Sequence, residues 1–301
     1  MNVHVVYQVL ILFVITLIGV YARKKNYTNK EVNRGLTQLI LNISLPLFII
    51  SSFLVKYSSE MLINAAKVFA YSVIILIGLL MIGKIIFSKF PQNRRSVLRF
   101  ITTFSNSGFI GFPVLYSLFG NLGVFYGAVY NVAFNIFQYT FGIMIFTQKK
   151  DWKAIKKLAV NPVIISIIIG LLIFRFSLQL PVPIATTIKM VGDMTIPLAM
   201  LLNGSMLAEI EIKEAFTGFS VYIITLIRLI AAPLLVLLLL KNLGVEGHIL
   251  KVLVIIQAMP AAATTAVISE QYGGDEVFAS KCIFMTTAFS IFTIPIIIQL
   301  L

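Results

Sequence analysis

Phe104-Ser-Asn-Ser-Gly-Phe-Ile-Gly-Phe-Pro113 holds one asparagine, two serines, two glycines and a proline inside an apolar stretch of ten residues. Glycine costs helix entropy and proline removes a backbone donor, so Asn106, Ser107, Gly108, Gly111 and Pro113 together weaken a helix part-way along. A second stretch, Gln257-Ala-Met-Pro260-Ala-Ala-Ala-Thr264-Thr265, has the same character. The first leads to Phe119-Gly120 and the second to Tyr272-Gly273, which lie 153 residues apart.

The surroundings of these stretches set their meaning. The chain has 301 residues, 59% of them hydrophobic and 12% charged, with a mean hydropathy of +0.99. Soluble domains are nearer half apolar and a quarter charged. One globular core cannot hide so much apolar surface, so lipid must cover the rest. Apolar runs long enough to span a bilayer are expected at ten places: 4–22, 34–54, 62–88, 98–119, 121–147, 160–178, 184–207, 216–240, 249–269 and 277–300. The first run lacks a basic start and is followed by Arg23-Lys24-Lys25, so it reads as a retained span rather than a cleaved signal.

Formal net charge is +13. Arg23, Lys24, Lys25, Lys30 and Arg34 flank the first gap; Lys84, Lys89, Arg94, Arg95 and Arg99 the third; Lys149, Lys150, Lys153, Lys156 and Lys157 the fifth. These are 15 of the 24 basic residues, and all follow odd-numbered spans. The positive-inside rule makes that side the cytoplasm, so both termini are expected outside a multi-pass protein of the cell membrane. No basic stripe lies on a soluble element, which argues against a nucleic-acid partner. Cys282 is the single cysteine, so neither an internal disulfide nor a cysteine metal site is available.

The chain also repeats. Asn42-Ile-Ser-Leu-Pro46-Leu and Asp193-Met-Thr-Ile-Pro197-Leu share a polar residue four before a proline, 151 residues apart. Five spans per repeat is an odd number, so 1–150 and 151–301 are expected as inverted five-helix halves, the plan of many secondary transporters. Freed backbone in hydrocarbon is tolerated only beside protein or a water-filled cavity, so spans four and nine are expected to line one. Their half-helix N-termini would offer free N–H groups and partial positive charge, which suit a carboxylate. The plainer alternative is a pair of structural kinks between packed helices.

Other polar residues carry open alternatives. Asp193 in span seven either carries a proton, binds a cation or pairs with a base, or is an end-of-helix acid one turn from Lys189. Its counterpart Asn42 cannot titrate. Arg228 in span eight attracts an anion, pairs with an acid such as Asp193, or snorkels to an interface. Asn131, Asn135 and Gln138 share one face of span five, lining a cavity or bonding to another helix. Glu270, His4 and His248 lie at span ends, and Trp152 reads as an interfacial anchor.

Asn106-Ser-Gly-Phe-Ile-Gly-Phe-Pro113 with Leu118-Phe119-Gly120 resembles span four of the auxin efflux carrier family, which holds the plant PIN-type carriers and many bacterial relatives. Ala258-Met-Pro260 through Ser269-Glu-Gln-Tyr-Gly273 resembles its span nine, Asn33-Arg34 with Leu45-Pro46-Leu47 its span two, and Asp193 through Met200 with Gly204 its span seven. The resemblance runs over the whole chain, without the long central loop of many plant members. It implies an all-α fold of ten transmembrane helices like that of bile-acid sodium symporters, with broken, crossing spans four and nine. Spans 1, 2, 6 and 7 would form a scaffold domain, through which a homodimer is a further expectation; spans 3–5 and 8–10 would form the transport domain. Implied too is movement of an organic anion: auxin in plants, malate, malonate or a similar carboxylate in bacterial members. Asn106 falls on the family's substrate-contacting asparagine and Pro113 on its first crossover proline, while Thr265 stands where plant members carry a second proline. No cofactor or metal is implied; a proton or a sodium ion is the candidate coupling ion. An enzyme is disfavoured, because two histidines and 11 acidic residues form no zinc or phosphate-loop pattern. A channel or receptor competes less well, for want of a soluble output domain.

Overall fold

The computed structural model describes residues 3–149, 158–209 and 215–301; Trp152, the side chain of His4 and the lysines at 150, 153, 156 and 157 lie outside the described residues. The regular structure described is helical throughout. The elements are α1 (Val3–Lys24), α2 (Lys30–Phe53), α3 (Ser59–Ile86), α4 (Gln92–Thr103), α5 (Ser107–Thr147), α6 (Pro162–Arg175), α7 (Val182–Leu207), α8 (Phe219–Asn242), α9 (Gly247–Ala258), α10 (Thr264–Tyr272) and α11 (Glu276–Gln299). Among the described residues seven of these, α1, α2, α3, α5, α7, α8 and α11, are long and apolar enough to cross a membrane. The chain is an integral membrane protein, with residues such as Leu10, Ile11, Val14, Leu17 and Ile18 of α1 exposed along its outer face.

The ten expected runs do not map one to one onto helices of spanning length. The run 98–119 divides between α4 and the start of α5, and 249–269 divides between α9 and α10. Expected breaks therefore fall inside runs. The expected turn at Gly120-Asn121 lies inside α5: Gly120 adopts φ 58°, ψ −144°, and the chain doubles back there, so that a Cβ on Gly123 would meet the Leu115 carbonyl oxygen at 2.4 Å. Glycine reaches that region without a Cβ penalty. The run 160–178 yields only the 14 residues of α6.

Local sequence sets the helix ends. Asn29, Ser58, Asn161 and Asp275 accept from the backbone N–H of Val32, Met61, Val163 and Phe278, capping α2, α3, α6 and α11. Inside α2, α5 and α8, wide π turns at Ile40–Ser44, Ser107–Gly111 and Ile227–Ala231 each precede a proline, namely Pro46, Pro113 and Pro233. A proline lacks the N–H of the regular ladder and crowds the carbonyl four residues back, and a widened turn relieves both.

Packing divides the helices into two neighbourhoods. α1 lies along α7, and α2 packs on both α6 and α7. The α1–α7 approach depends on absent side chains: a Cβ on Gly204 would meet the Thr16 carbonyl oxygen at 1.9 Å, and one on Gly19 the Leu201 oxygen at 2.2 Å. In the other neighbourhood α3 packs on α4 and α5, α9 on α5 and α8, and α10 on α11. α2 and α1 reach across to α5. A ring cluster of Phe53, Phe125 and Phe174 fills that junction.

Candidate functional site

The two breaks meet. α4 ends at Thr103 and the chain runs extended through Phe104; α9 ends at Ala258 and the chain runs extended through Met259. Ser105 and Ala261 pair in antiparallel fashion, with the Asn106 N–H donating to the Pro260 carbonyl at 2.8 Å and the Ala262 N–H to the Phe104 carbonyl at 3.2 Å. The Ala261 N–H donates to Thr286 Oγ1 at 3.1 Å. Backbone groups freed by breaking both helices thus satisfy each other. Pro260 suits its place, since only its carbonyl is needed.

Beyond the bridge each chain turns back into helix, so the N-termini of α5 and α10 open on one cavity of about 330 Å³. That size lies in the range of small-molecule sites. Asn106, Ser107, Gly108, Ala263 and Thr264 supply its floor, and Asn131, Asn135 and Gln138 of α5 its wall. Asn106 caps α5 through Oδ1, which accepts from the Phe109 N–H at 3.1 Å. Ser107 Oγ donates to Asn131 Oδ1 at 3.0 Å, and Gln138 Nε2 donates to Thr264 Oγ1 at 3.2 Å, linking the two helix starts. No side chain caps α10. α2 and the start of α6 close the cavity with Gln38, Asn42 and Asn161. Asn106 and Ala263 also face a second cavity of about 200 Å³, bounded by Asn203 and Glu209 and by Glu276 and Thr287 of α11.

On the opposite side of the bridge the C-termini of α4 and α9 converge on Arg228. Its Nε donates to the Met259 carbonyl at 3.1 Å and its Nη1 to the carbonyls of Thr102 and Ile101, at 3.0 and 3.4 Å. Nη2 donates to the Gln257 carbonyl and to Gln257 Oε1, the latter at 2.9 Å. Gln257 Nε2 in turn donates to the Tyr130 hydroxyl at 2.9 Å. Arg228 is 0% exposed, so all five donors of its fork are spent on protein oxygens.

The profile of the family described as "Membrane transport protein" matches residues 4–156 and 150–298, nearly the full length. The chain belongs to this family. It is the auxin efflux carrier family that the motifs of spans two, four, seven and nine resemble. An uncharacterized transporter of Methanocaldococcus jannaschii is 25% identical over 298 residues, covering 96% of both chains. One of Methanothermobacter thermautotrophicus is 24% identical over 301 residues, covering 96% of this chain and 95% of that one. Names of family and relatives alike indicate a membrane transporter.

Within this membrane transport protein the predicted residues separate by place. Asn106, Ser107, Gly108, Thr264 and Asn135 line the first cavity, and Pro260 forms its bridge. Pro113 is buried in α5 after the π turn and lines neither cavity; the break lies before Asn106, because the Ser105–Ala261 pairing fixes it there. Thr265 is buried, its hydroxyl donating to the Ala262 carbonyl at 2.6 Å. Asn42 is exposed at the cavity rim, and Asp193 is exposed and lines neither cavity. The expected roles of Arg228 in attracting an anion, pairing with Asp193 or snorkelling are all corrected: backbone carbonyls of two helix ends hold it, and it lines neither cavity. Sequence reasoning missed that role, as well as Asn203, Glu209 and Tyr130. Two expected breaks imply two carbonyl-rich helix ends in need of donors, and that signal pointed at the basic residue inside a span.

Proposed function

We propose that this transporter moves a small organic anion, such as malate, malonate or an auxin-like acid, across the cell membrane by elevator-type alternating access. The observation that carries the proposal is the convergence of two half-helix N-termini, from α5 and α10, on one cavity whose mostly apolar surface carries asparagine, serine and threonine groups at those helix starts. A helix N-terminus is worth roughly half a positive charge, so two supply about the charge that one carboxylate needs. Asn106, Ser107, Gly108 and Thr264 would bind the carboxylate, with Asn135 completing the wall.

The architecture we infer is ten spans in two inverted halves, 1–150 and 151–301. In its favour, 41 residues of helix at 1.5 Å each would reach about 60 Å, twice a bilayer's hydrocarbon thickness, so α5 reads as two spans hinged at Gly120. The neighbourhood of α1, α2, α6 and α7 would be the scaffold, and the remaining helices the moving domain. Both cavities lie between these groups, where an elevator must carry its cargo. Glu209 is paired with Arg23 at 3.3 Å and Asp275, beside Glu276, with Arg94 at 3.1 Å, so the second cavity opens at the basic end. By the positive-inside rule that end is cytoplasmic, the conformation inward-facing and both termini extracytoplasmic. A proton or sodium would be the coupling ion, and a homodimer would form through the scaffold.

Counterflow of labelled malate into proteoliposomes, with unlabelled carboxylates and indole-acetate as competitors, tests the reading. Saturable, competitor-sensitive uptake is expected. No accumulation of any carboxylate, under either a proton or a sodium gradient, would refute the substrate class. A sodium requirement would favour the bile-acid-type symporter alternative, and unsaturable flux a channel.

A further inference from the structure

The crossover has a negative side as well as a positive one. The C-termini of α4 and α9 each bring roughly half a negative charge, about one elementary charge together, to a place 0% exposed to solvent. Uncompensated, four inward-turned carbonyls there would be a cage of hard oxygen ligands for an alkali ion; unwound carbonyls and half-helix C-termini are the usual sodium ligands of broken-helix carriers. Arg228 already stands in that cage. Among the described residues no carboxylate lies within ion-pair distance of it, so its charge is balanced by the helix ends alone.

We propose that Arg228 is a tethered cation that replaces a bound alkali ion at the crossover. It is a positioning residue: by holding the carbonyls of Ile101, Thr102, Gln257 and Met259 together, it fixes the bridge and thereby aims the N-termini of α5 and α10 at the substrate. Assembly of the anion site accordingly needs no sodium at this place, and any coupling ion acts elsewhere. Gln257 orients the fork, being itself held by Tyr130. The proposal rests on the crossover being the substrate site, but its first readout does not depend on transport.

The experiment compares Arg228→Ala, Arg228→Lys and wild type as purified full-length protein, by thermal shift and by malate counterflow, in choline, sodium and millimolar guanidinium chloride at one ionic strength. Arg228→Ala vacates a guanidinium-shaped hole. Its Tm is expected to fall in choline and to recover saturably in guanidinium, while wild type shows no such rise. Flux in Arg228→Ala is expected to drop by about tenfold or more and to recover with guanidinium or, less fully, with sodium. Arg228→Lys keeps the charge but loses the fork, and is expected to fold and sit between the two. Wild-type flux is expected to be equal in choline and sodium when both sides of the membrane match. The proposal is overturned if guanidinium leaves the variant's Tm unchanged, if Arg228→Ala keeps wild-type Tm and flux, or if wild type binds sodium in a way that Arg228→Ala abolishes. Should Arg228→Ala not fold, wild-type Tm and flux in Arg228→Gln, which keeps much of the length but lacks the charge, decide against it equally. If guanidinium rescues Tm while no carboxylate is transported, the substrate reading fails and the tethered cation stands.

Discussion

Replacing Asn106 by aspartate separates the two jobs of that side chain. Asn106 caps α5 through Oδ1, is 5% exposed and lines both cavities. Asparagine and aspartate cap helices about equally well, so Asn106→Asp is expected to keep Tm within about 1 °C of wild type. Its effect on the anion is large. Two like charges 4 Å apart repel by about 4 kcal/mol at an effective dielectric constant near 20, roughly a thousandfold in affinity. Protonation of the new carboxylate relieves part of this, leaving an expected loss of at least about 100-fold near neutral pH. The loss should shrink as pH falls and that carboxylate takes up its proton. Asn106→Ala is the contrasting case: the cap is lost at about 1 kcal/mol, and a hydrogen bond to a charged ligand at about 1.5–3 kcal/mol, hence weakening of roughly 10–100-fold. Concentration dependence of counterflow gives the affinities, and thermal unfolding in the same detergent gives the stabilities. Wild-type affinity in Asn106→Asp, with Tm unchanged, would refute placement of the anion at the α5 N-terminus.

Gly204→Val should lower Tm by roughly 5 °C, since its Cβ has no room beside the Thr16 carbonyl and overpacking costs about 1–3 kcal/mol, whereas Gly78→Ala, whose Cβ meets nothing within 4 Å, should hold or raise it. Asn131→Leu keeps the branched shape but takes the acceptor from Ser107 Oγ, so counterflow affinity should fall by about fivefold, and an unchanged value would remove Ser107 from the site. Asp193→Asn should leave malate affinity unaltered, because Asp193 lines neither cavity; an altered pH profile of flux would restore it as a coupling residue.

Sequence alone determined that this chain lives in a membrane, because no packing arrangement of 301 residues with so few charges could bury its apolar surface. It also located the two breaks to within a few residues, since proline and glycine act on the backbone wherever the chain goes. The asparagine ladder of α5 was legible for a related reason: helical spacing puts Asn131, Asn135 and Gln138 on one face before any neighbour is known. What only tertiary structure decided is which broken ends meet. Whether the break precedes Asn106 or follows it depends on the Ser105–Ala261 pairing across more than 150 residues. Arg228 shows the limit most clearly. A charge inside an apolar run needs partners, but those partners are backbone carbonyls of residues 29 to 127 positions away, and carbonyls carry no signature in the sequence.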